Sequence, residues 1–194
     1  GFGKEHLDLV SLATVADLVP LTNKNRAILK NGLPYLQNTK RLGLLALFEE
    51  AKIDPTKIGV YEIGHIIGPR INAMGRLESA MDSLRLLCTK KSEKAALLAQ
   101  TLGTTNRERQ LLTQARAMHA VEKFKTHTKL KTVLIIAEET YEEGIIGLIA
   151  GRLVEEYYRP SIVIAKGEKV SKASARSVAG FNIIEFIRSA KEHL

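Results

Sequence analysis

The chain has 194 residues, of which 45% are hydrophobic and 26% are charged, and its net charge at neutral pH is +8. This composition is that of a globular protein with one large domain or two small ones, and it excludes a low-complexity chain. The positive surplus favours a polyanionic partner such as nucleic acid, but charge alone leaves an ordinary basic protein open. Cys88 is the only cysteine, which excludes an internal disulfide and indicates a reducing, cytoplasmic compartment. No apolar run approaches membrane-spanning length, so we expect no membrane partner.

Residues 6–91 predict a series of short helices. Asp17 follows the first apolar run, and an acid in that setting must be paired, hydrogen-bonded, bound to metal or used as a cap. Further helices are expected from Asn23 or Asn25 to about Leu36, over 41–52 and over 79–88, and either a turn or a new helix starts at Asp54. The apolar face of the helix over 41–52 is expected to comprise Leu44, Leu45, Leu47 and Phe48. The inward face of the helix over 79–88 is expected to comprise Met81, Leu84, Leu87 and a buried Cys88.

Residues 67–77, IGPRINAMGRL, combine two arginines, an asparagine, a proline and two glycines. The glycines allow close backbone approach and the proline favours a turn, so the stretch predicts a turn that could bind an anion. Arg70 and Arg76 can each donate two hydrogen bonds to a phosphate, and Asn72 adds a neutral donor and acceptor. The alternative is a turn whose arginines pair with carboxylates elsewhere.

A long helix is expected from residue 93 to about 124, with Ser92 as its cap. A polar segment interrupts its apolar pattern, and Asn106, Arg109 and Gln110 share one face of it at i, i+3 and i+4 spacing. Such a segment is either a solvated spacer or the wall of a cleft between two domains.

The periodicity changes after a polar, basic boundary at residues 125–131. Buried strands are expected at 132–137 and 161–165, separated by a helix at 144–157, which predicts a βαβ unit with a parallel strand pair. A more polar third strand is expected at 172–178, and Asn182 is expected to cap a last helix that continues to the end of the chain. The fold class is therefore α/β.

A second cationic segment lies in this C-terminal part. Ser174 and Ser177 flank Arg176, and Gly180 and Asn182 follow, which suits a phosphate site or, alternatively, a surface strand with an exposed arginine. Ligands for a metal are scarce, because the five histidines are scattered and Asp17 cannot make a site by itself.

Several of these segments resemble the RecJ-type single-stranded-DNA exonucleases of the DHH phosphoesterase superfamily. Residues 8–21, DLVSLATVADLVPL, resemble the last metal-ligand motif of the family, and residues 67–77 resemble its GPRINAxGR segment. Residues 144–153 resemble the first helix of its DHH-associated domain, and residues 174–182 resemble the SGRSxxGFN segment of that domain. Residues 106–110 fit the interdomain helix, and the matches keep the order of the family along the chain.

The resemblance implies the helical end of a DHH domain (1–91), a connecting helix (92–125) and an incomplete α/β DHH-associated nucleic-acid-binding domain (126–194). It implies part of a metal-dependent 5′→3′ single-stranded-DNA exonuclease of DNA repair and recombination. Asp17 would bind catalytic Mn²⁺ or Mg²⁺, and Arg76 would hold substrate phosphate beside it. The implied substrate contacts are Arg70, Asn72, Arg76, Asn106, Arg109, Gln110, Ser174, Arg176, Ser177 and Asn182.

Departures from the family pattern limit this expectation. The N-terminal aspartate motifs, the DHH histidines and the GGHxxAAG segment of the family are absent from the chain, so we expect negligible nuclease activity from it alone. Ala175 replaces a glycine, and Glu142 stands where a histidine is common. The alternatives are a RecJ-like replication partner without catalysis and a DHH-family oligonucleotide phosphodiesterase. Single-stranded DNA is the expected partner, with a single-strand-binding protein or a helicase as further candidates.

Overall fold

The computed structural model describes residues 4–125 and 131–190. The chain divides into two units, Gly1–Glu108 and Arg109–Leu194. The boundary predicted at 125–131 lies mostly outside the described residues. The last helix, predicted to run from Asn182 to the end of the chain, ends at Ser189 with Ala190 as its C-cap. Within the described ranges, no helix has both the length and the apolar character needed to cross a bilayer.

The first unit is helical. Its elements are α1 (Leu7–Ala16), α2 (Asn23–Gln37), α3 (Leu42–Glu50), α4 (Val60–Glu62), α5 (Gly68–Leu77), α6 (Met81–Cys88) and the beginning of α7 (Ser92–Lys125). The predicted turn at Asp54 is confirmed, because the Asp54 side chain accepts a hydrogen bond from the backbone of Thr56 and starts a 3₁₀ turn. The expected asparagine cap of α2 is wrong, since Thr22 is the N-cap and makes no side-chain cap bond.

The turn predicted at residues 67–77 is wrong, because these residues form α5. A π-helical turn, Ile63–Ile67, leads directly into this helix. Pro69 explains both features, since proline is tolerated in the first turn of a helix, but it cannot donate to the carbonyl four residues earlier and its ring would clash there. The backbone therefore widens before Pro69 and continues as α5, with Ala73 and Met74 buried in the core.

Two predicted apolar faces are partly wrong. On α3, Leu44, Leu47 and Phe48 are buried as expected, but Leu45 is exposed. On α6 the inward residues are Ser83 and Leu86, whereas Met81 and Leu84 are exposed. The thiol of Cys88 is also exposed, so the expected buried cysteine is wrong. Short helices allow such errors, because one residue of rotation redirects a whole apolar stripe.

Glu50, at the end of α3, ties three helices of the first unit together. Its carboxylate accepts from Arg70 Nε on α5 at 2.8 Å and from Arg107 Nη1 on α7 at 2.9 Å. Its Oε1 lies 1.9 Å from the position that a Cβ on Gly103 would occupy, so any side chain at residue 103 would force the Glu50 carboxylate to move. Burial would raise the pKa of Glu50, but the two arginines outweigh burial and hold that pKa below its ordinary value.

The second unit is an α/β arrangement. It comprises the end of α7, strand β1 (Leu134–Glu138), α8 (Ile146–Tyr157), β2 (Ser161–Ala165), β3 (Lys172–Arg176) and α9 (Ile183–Ser189). Strand order is β1-β2-β3, with β1 and β2 parallel and β2 and β3 antiparallel. The predicted βαβ unit, the third strand and the Asn182 cap are confirmed, since Asn182 Oδ1 accepts from the backbone of α9.

The end of α7 and helix α8 run side by side in the same direction. Near the start of α8, the Arg116 guanidinium donates to Glu142 at 3.1 Å and the His119 ring contacts the Tyr141 hydroxyl at 2.9 Å. Near its end, Tyr157 Oη donates to the carbonyl of Val121 at 2.8 Å. Burial, reinforced by the charge of nearby Glu138, raises the pKa of Tyr141 to about 12.

Glu50→Gln should destabilise the first unit by about 2–3 kcal/mol at neutral pH, because it weakens two charge-assisted hydrogen bonds. The pKa of Glu50 is depressed by folding, so its contribution is complete above the ordinary value and is lost as pH falls through the folded value. Urea unfolding of both proteins at about pH 7 and about pH 3 should therefore show a smaller difference at the lower pH. Glu49→Gln, at an exposed neighbouring acid, is the control; an equal effect there would contradict the assignment.

Candidate nucleic-acid interface

The alternation of side chains along β3 directs three polar residues toward α8 and the turn that precedes it. Lys172, Ser174 and Arg176 share one face of the strand, because successive side chains point to opposite faces. Lys172 Nζ donates to Glu143 Oε2 at 2.6 Å. Ser174 Oγ and Arg176 Nη2 lie 3.0 Å and 3.5 Å from the position that a Cβ on Gly147 would occupy. A hydroxyl and a guanidinium thus stand beside the first turn of α8.

The start of α8 has the properties of an anion site. Its N-cap, Ile145, makes no side-chain cap bond. The first N–H groups of a helix generally lack a partner within it, and here the third of them, on Leu148, donates to the carbonyl of Ile145 at 2.8 Å. Their aligned dipoles place partial positive charge at this end, and Arg176 adds a full one. Two positive charges held together repel each other, so an anion bound between them would relieve the repulsion.

A groove of about 790 Å³ extends from this point between α7 and α8. Its lining is Arg109, Gln110, Thr113, Gln114, Ala117, Met118, Val121, Glu122, Lys125, Gly147, Leu148, Gly151, Arg152, Glu155, Glu156 and Arg176. Three residues predicted as substrate contacts, Arg109, Gln110 and Arg176, therefore lie on one surface of the second unit. Gly147 and Gly151 lie one helical turn apart, and because they have no side chains, the groove reaches the backbone of α8 at both positions.

Ser177 and Asn182 have structural partners. Ser177 Oγ donates to the carbonyl of Phe181 at 2.5 Å and closes the turn that contains Gly180. Gly180 has φ of 82°, which favours glycine. Asn182 Oδ1 accepts from the backbone N–H groups of Ile184 and Glu185. These contacts shape the segment after β3.

In the first unit, Asp17 is the C-cap of α1, and its side chain is exposed to solvent. Its apolar neighbours in sequence suggested a buried acid that needs a partner, but an exposed carboxylate needs none. It lines a groove of about 290 Å³ with Asn72, and the remaining lining is mainly apolar: Leu9, Leu12, Ala13, Ala16, Gly68, Ile71 and Leu87. The C-terminal end of a helix carries partial negative charge, so a carboxylate there makes a local field that suits a cation.

The three predicted residues of α5 have different surroundings. Asn72 and Arg76 are exposed and lie at i and i+4, on one side of the helix. Asn72 lines the groove beside Asp17, and Arg76 stands one turn further along. Arg70 instead donates to Glu50 and to the carbonyl of Ile66, so the expected alternative of a carboxylate partner holds for this arginine.

Asp8, which sequence reasoning did not single out, is the buried acid of α1. It is only 6% exposed, and its carboxylate accepts from Thr39 Oγ1 at 2.9 Å and Arg41 Nε at 2.8 Å. These bonds anchor α1 to the connection between α2 and α3. Asn106 of the predicted polar segment is also buried, at 2% exposure, so a fully solvated spacer is the wrong interpretation there.

A metal centre needs several ligands, and the described residues contain no group of three or more histidines, cysteines or acids close enough to hold an ion. Asp17 is thus the one predicted ligand, and the described residues do not complete a group of three ligands around it. Gly147 and Gly151 were not predicted from the sequence as groove residues. Their i, i+4 spacing could have predicted the groove, because small residues so spaced leave a furrow along one side of a helix. The acids Glu155 and Glu156 carry no such signal.

Known proteins similar to this chain are RecJ exonucleases. No family model matches the chain. The single-stranded-DNA-specific exonuclease RecJ of Bacillus subtilis is 35% identical over 192 residues, which are 98% of this chain and 24% of the relative. The RecJ exonuclease of Escherichia coli is 34% identical over 196 residues, 98% of this chain and 33% of that protein.

Solved structures agree with the curated relatives. The crystal structure of RecJ in complex with Mn²⁺ from Thermus thermophilus matches with a TM-score of 0.86 at 31% identity, over 97% of this chain and 28% of that one. The chain spans about a quarter to a third of the length of the curated relatives it matches. Nearly all of the chain is covered by each of these matches, in sequence and in structure, and the chain is therefore a RecJ-type segment.

Proposed function

We propose that the chain is part of a metal-dependent single-stranded-DNA exonuclease that hydrolyses phosphodiester bonds in the 5′→3′ direction, in DNA repair and recombination. The observation that carries the proposal is the meeting of Ser174 and Arg176 with the first turn of α8, in a groove also lined by Arg109 and Gln110. Similarity to RecJ exonucleases over nearly the whole chain supports the same function.

In this proposal the second unit grips the sugar-phosphate backbone. The first N–H groups of α8, the Ser174 hydroxyl and the Arg176 guanidinium would bind one phosphate. Arg109 and Gln110 line the same groove and would contact the strand next to it. Such contacts ignore base identity, so they would position many sequences equally. Ser177 and Asn182 would act by holding the turn and helix that follow Arg176.

The first unit would contribute Asp17, Asn72 and Arg76. Asp17 would be one ligand of Mn²⁺ or Mg²⁺, and Asn72, in the same groove, and Arg76 would bind phosphate oxygens. Arg70 is held by Glu50 in the structure, so we propose that it orients α5 and brings its neighbours toward substrate. Asn106 is buried, and its role would be to support the surroundings of Arg109.

The described residues do not by themselves fit a divalent metal, because they hold no group of three or more candidate ligands around Asp17 or elsewhere. The bound metal would supply an activated water and charge neutralisation, and the chain's own contribution would be substrate binding. We therefore propose that this chain binds a single strand without hydrolysing it. A non-catalytic binding role in a larger RecJ-like protein is the second candidate, and the same scarcity of ligands favours it.

Two further assignments belong to the proposal. A cytoplasmic location fits the single cysteine, whose exposed thiol would stay reduced there. A single-strand-binding protein or a helicase would deliver the strand to the full-length enzyme, and neither is needed for the binding described above.

Arg176→Ala should weaken binding of single-stranded DNA by a similar factor for every base sequence. It should also reduce the slope of log affinity against log salt concentration by about 0.7, since one phosphate contact is lost. Fluorescence anisotropy with labelled oligo(dT) and mixed-sequence strands measures both quantities. Arg188→Ala removes the same charge from an exposed site on α9 and should change little. Equal effects of the two variants would contradict the groove assignment.

Hydrolysis is tested separately with the purified chain, labelled single-stranded DNA and Mn²⁺. We expect binding without turnover, because the described residues supply too few ligands for a metal centre. Turnover that persists after removal of contaminating nuclease would show that the chain carries a complete centre.

A further inference from the structure

The groove between α7 and α8 has two ends with different charge. At the end where α8 begins, the charged lining residues are Arg109 and Arg176, both cationic. At the end where α8 finishes, Lys125 and Arg152 stand with three acids, Glu122, Glu155 and Glu156, which gives a net charge of −1. A polyanion bound along the groove would therefore be attracted at the end where α8 begins and repelled at the end where α8 finishes.

Arg152 is the cation best placed to extend the phosphate path, since it stands one residue beyond Gly151 on α8. Its guanidinium is held by acids of the next turn, with Nη1 at 3.3 Å from Glu155 and Nη2 at 3.4 Å from Glu156. Each of these pairs is exposed and contributes little stability by itself. Together, however, the two carboxylates outnumber the one cation and leave that turn of α8 negative.

The distance between the two ends is short. Eight residues of α8 separate Gly147 from Glu155, which corresponds to about 12 Å along the helix axis. This distance exceeds the Debye length of about 8 Å at physiological salt, so the acids act little on a phosphate at Gly147. They act on a phosphate at Gly151, which lies about 6 Å from Glu155 along the axis. A strand that enters at Gly147 would be repelled by Glu155 and Glu156 before it reached the end of α8.

We propose that Glu155 and Glu156 limit the length of strand held in the groove, by occupying Arg152 and repelling the backbone beyond Gly151. Phosphates bind from Arg176 to about Gly151, and the strand then turns away from α8. The inference rests on the proposed binding function and adds to it a determinant of how much strand the second unit contacts.

The test is the double variant Glu155→Gln/Glu156→Gln in the whole chain, measured by anisotropy with single strands of increasing length. Arg152 then gains a phosphate, so the slope of log affinity against log salt should steepen by about 0.7. The shortest strand that reaches full affinity should also become longer. Glu139→Gln/Glu168→Gln makes the same change in net charge at exposed acids outside the groove and should leave slope and length unchanged.

Arg152→Ala sharpens the result. In the natural background it should have less than about a twofold effect, since its guanidinium contacts carboxylates and not the strand. In the double-variant background it should abolish the gain. The inference is overturned if both double variants behave alike, or if Arg152→Ala alone weakens binding as much as Arg176→Ala. If Arg176→Ala leaves binding unchanged, the proposed function and the inference both fail; if it weakens binding while the double variants match, the inference alone fails.

Discussion

The structure depends on the close approach of β3 to the first turn of α8. Ser174 and Arg176 come so near to Gly147 that a methyl group there would crowd the hydroxyl. The approach places a guanidinium beside the positive end of a helix, which is unfavourable unless an anion separates them. Asp17 shows the opposite case, a carboxylate at the negative end of α1. Arg176 and Asp17 thus each lie at a helix end of the same sign as their own charge, and such unfavourable local arrangements concentrate at functional sites.

Much of the fold follows from local pattern. The β-branched strands 134–138 and 161–165 and the helix between them predict a parallel pair, because strands so connected need a crossover. The stretch at 67–77 misleads, since its glycines and proline are typical of turns. Burial of Ala73 and Met74 outweighs the low helix propensity of the two glycines, and the π-helical turn accommodates Pro69. Sequence gives the composition of that stretch but not the packing that decides its conformation.

The candidate site is only partly predictable. Arg109, Gln110 and Arg176 are suggested by their polar contexts, and the structure gathers them on one groove. The role of Gly147 and the acids of α8 depends on the side-by-side packing of α7 and α8. That packing is fixed by contacts between residues distant in sequence, such as Tyr157 with Val121 and Arg116 with Glu142. No local pattern reports such contacts.

The central claim is that a phosphate binds where β3 meets the first turn of α8. An amide NMR titration of the chain with a short single-stranded oligonucleotide tests it most directly, since it reports each backbone N–H separately. We predict the largest shifts at Ile146 and Gly147 and along residues 174–177. Shifts confined to other surfaces, such as the exposed side of β1 at Ile135, with none at the start of α8, would contradict the account.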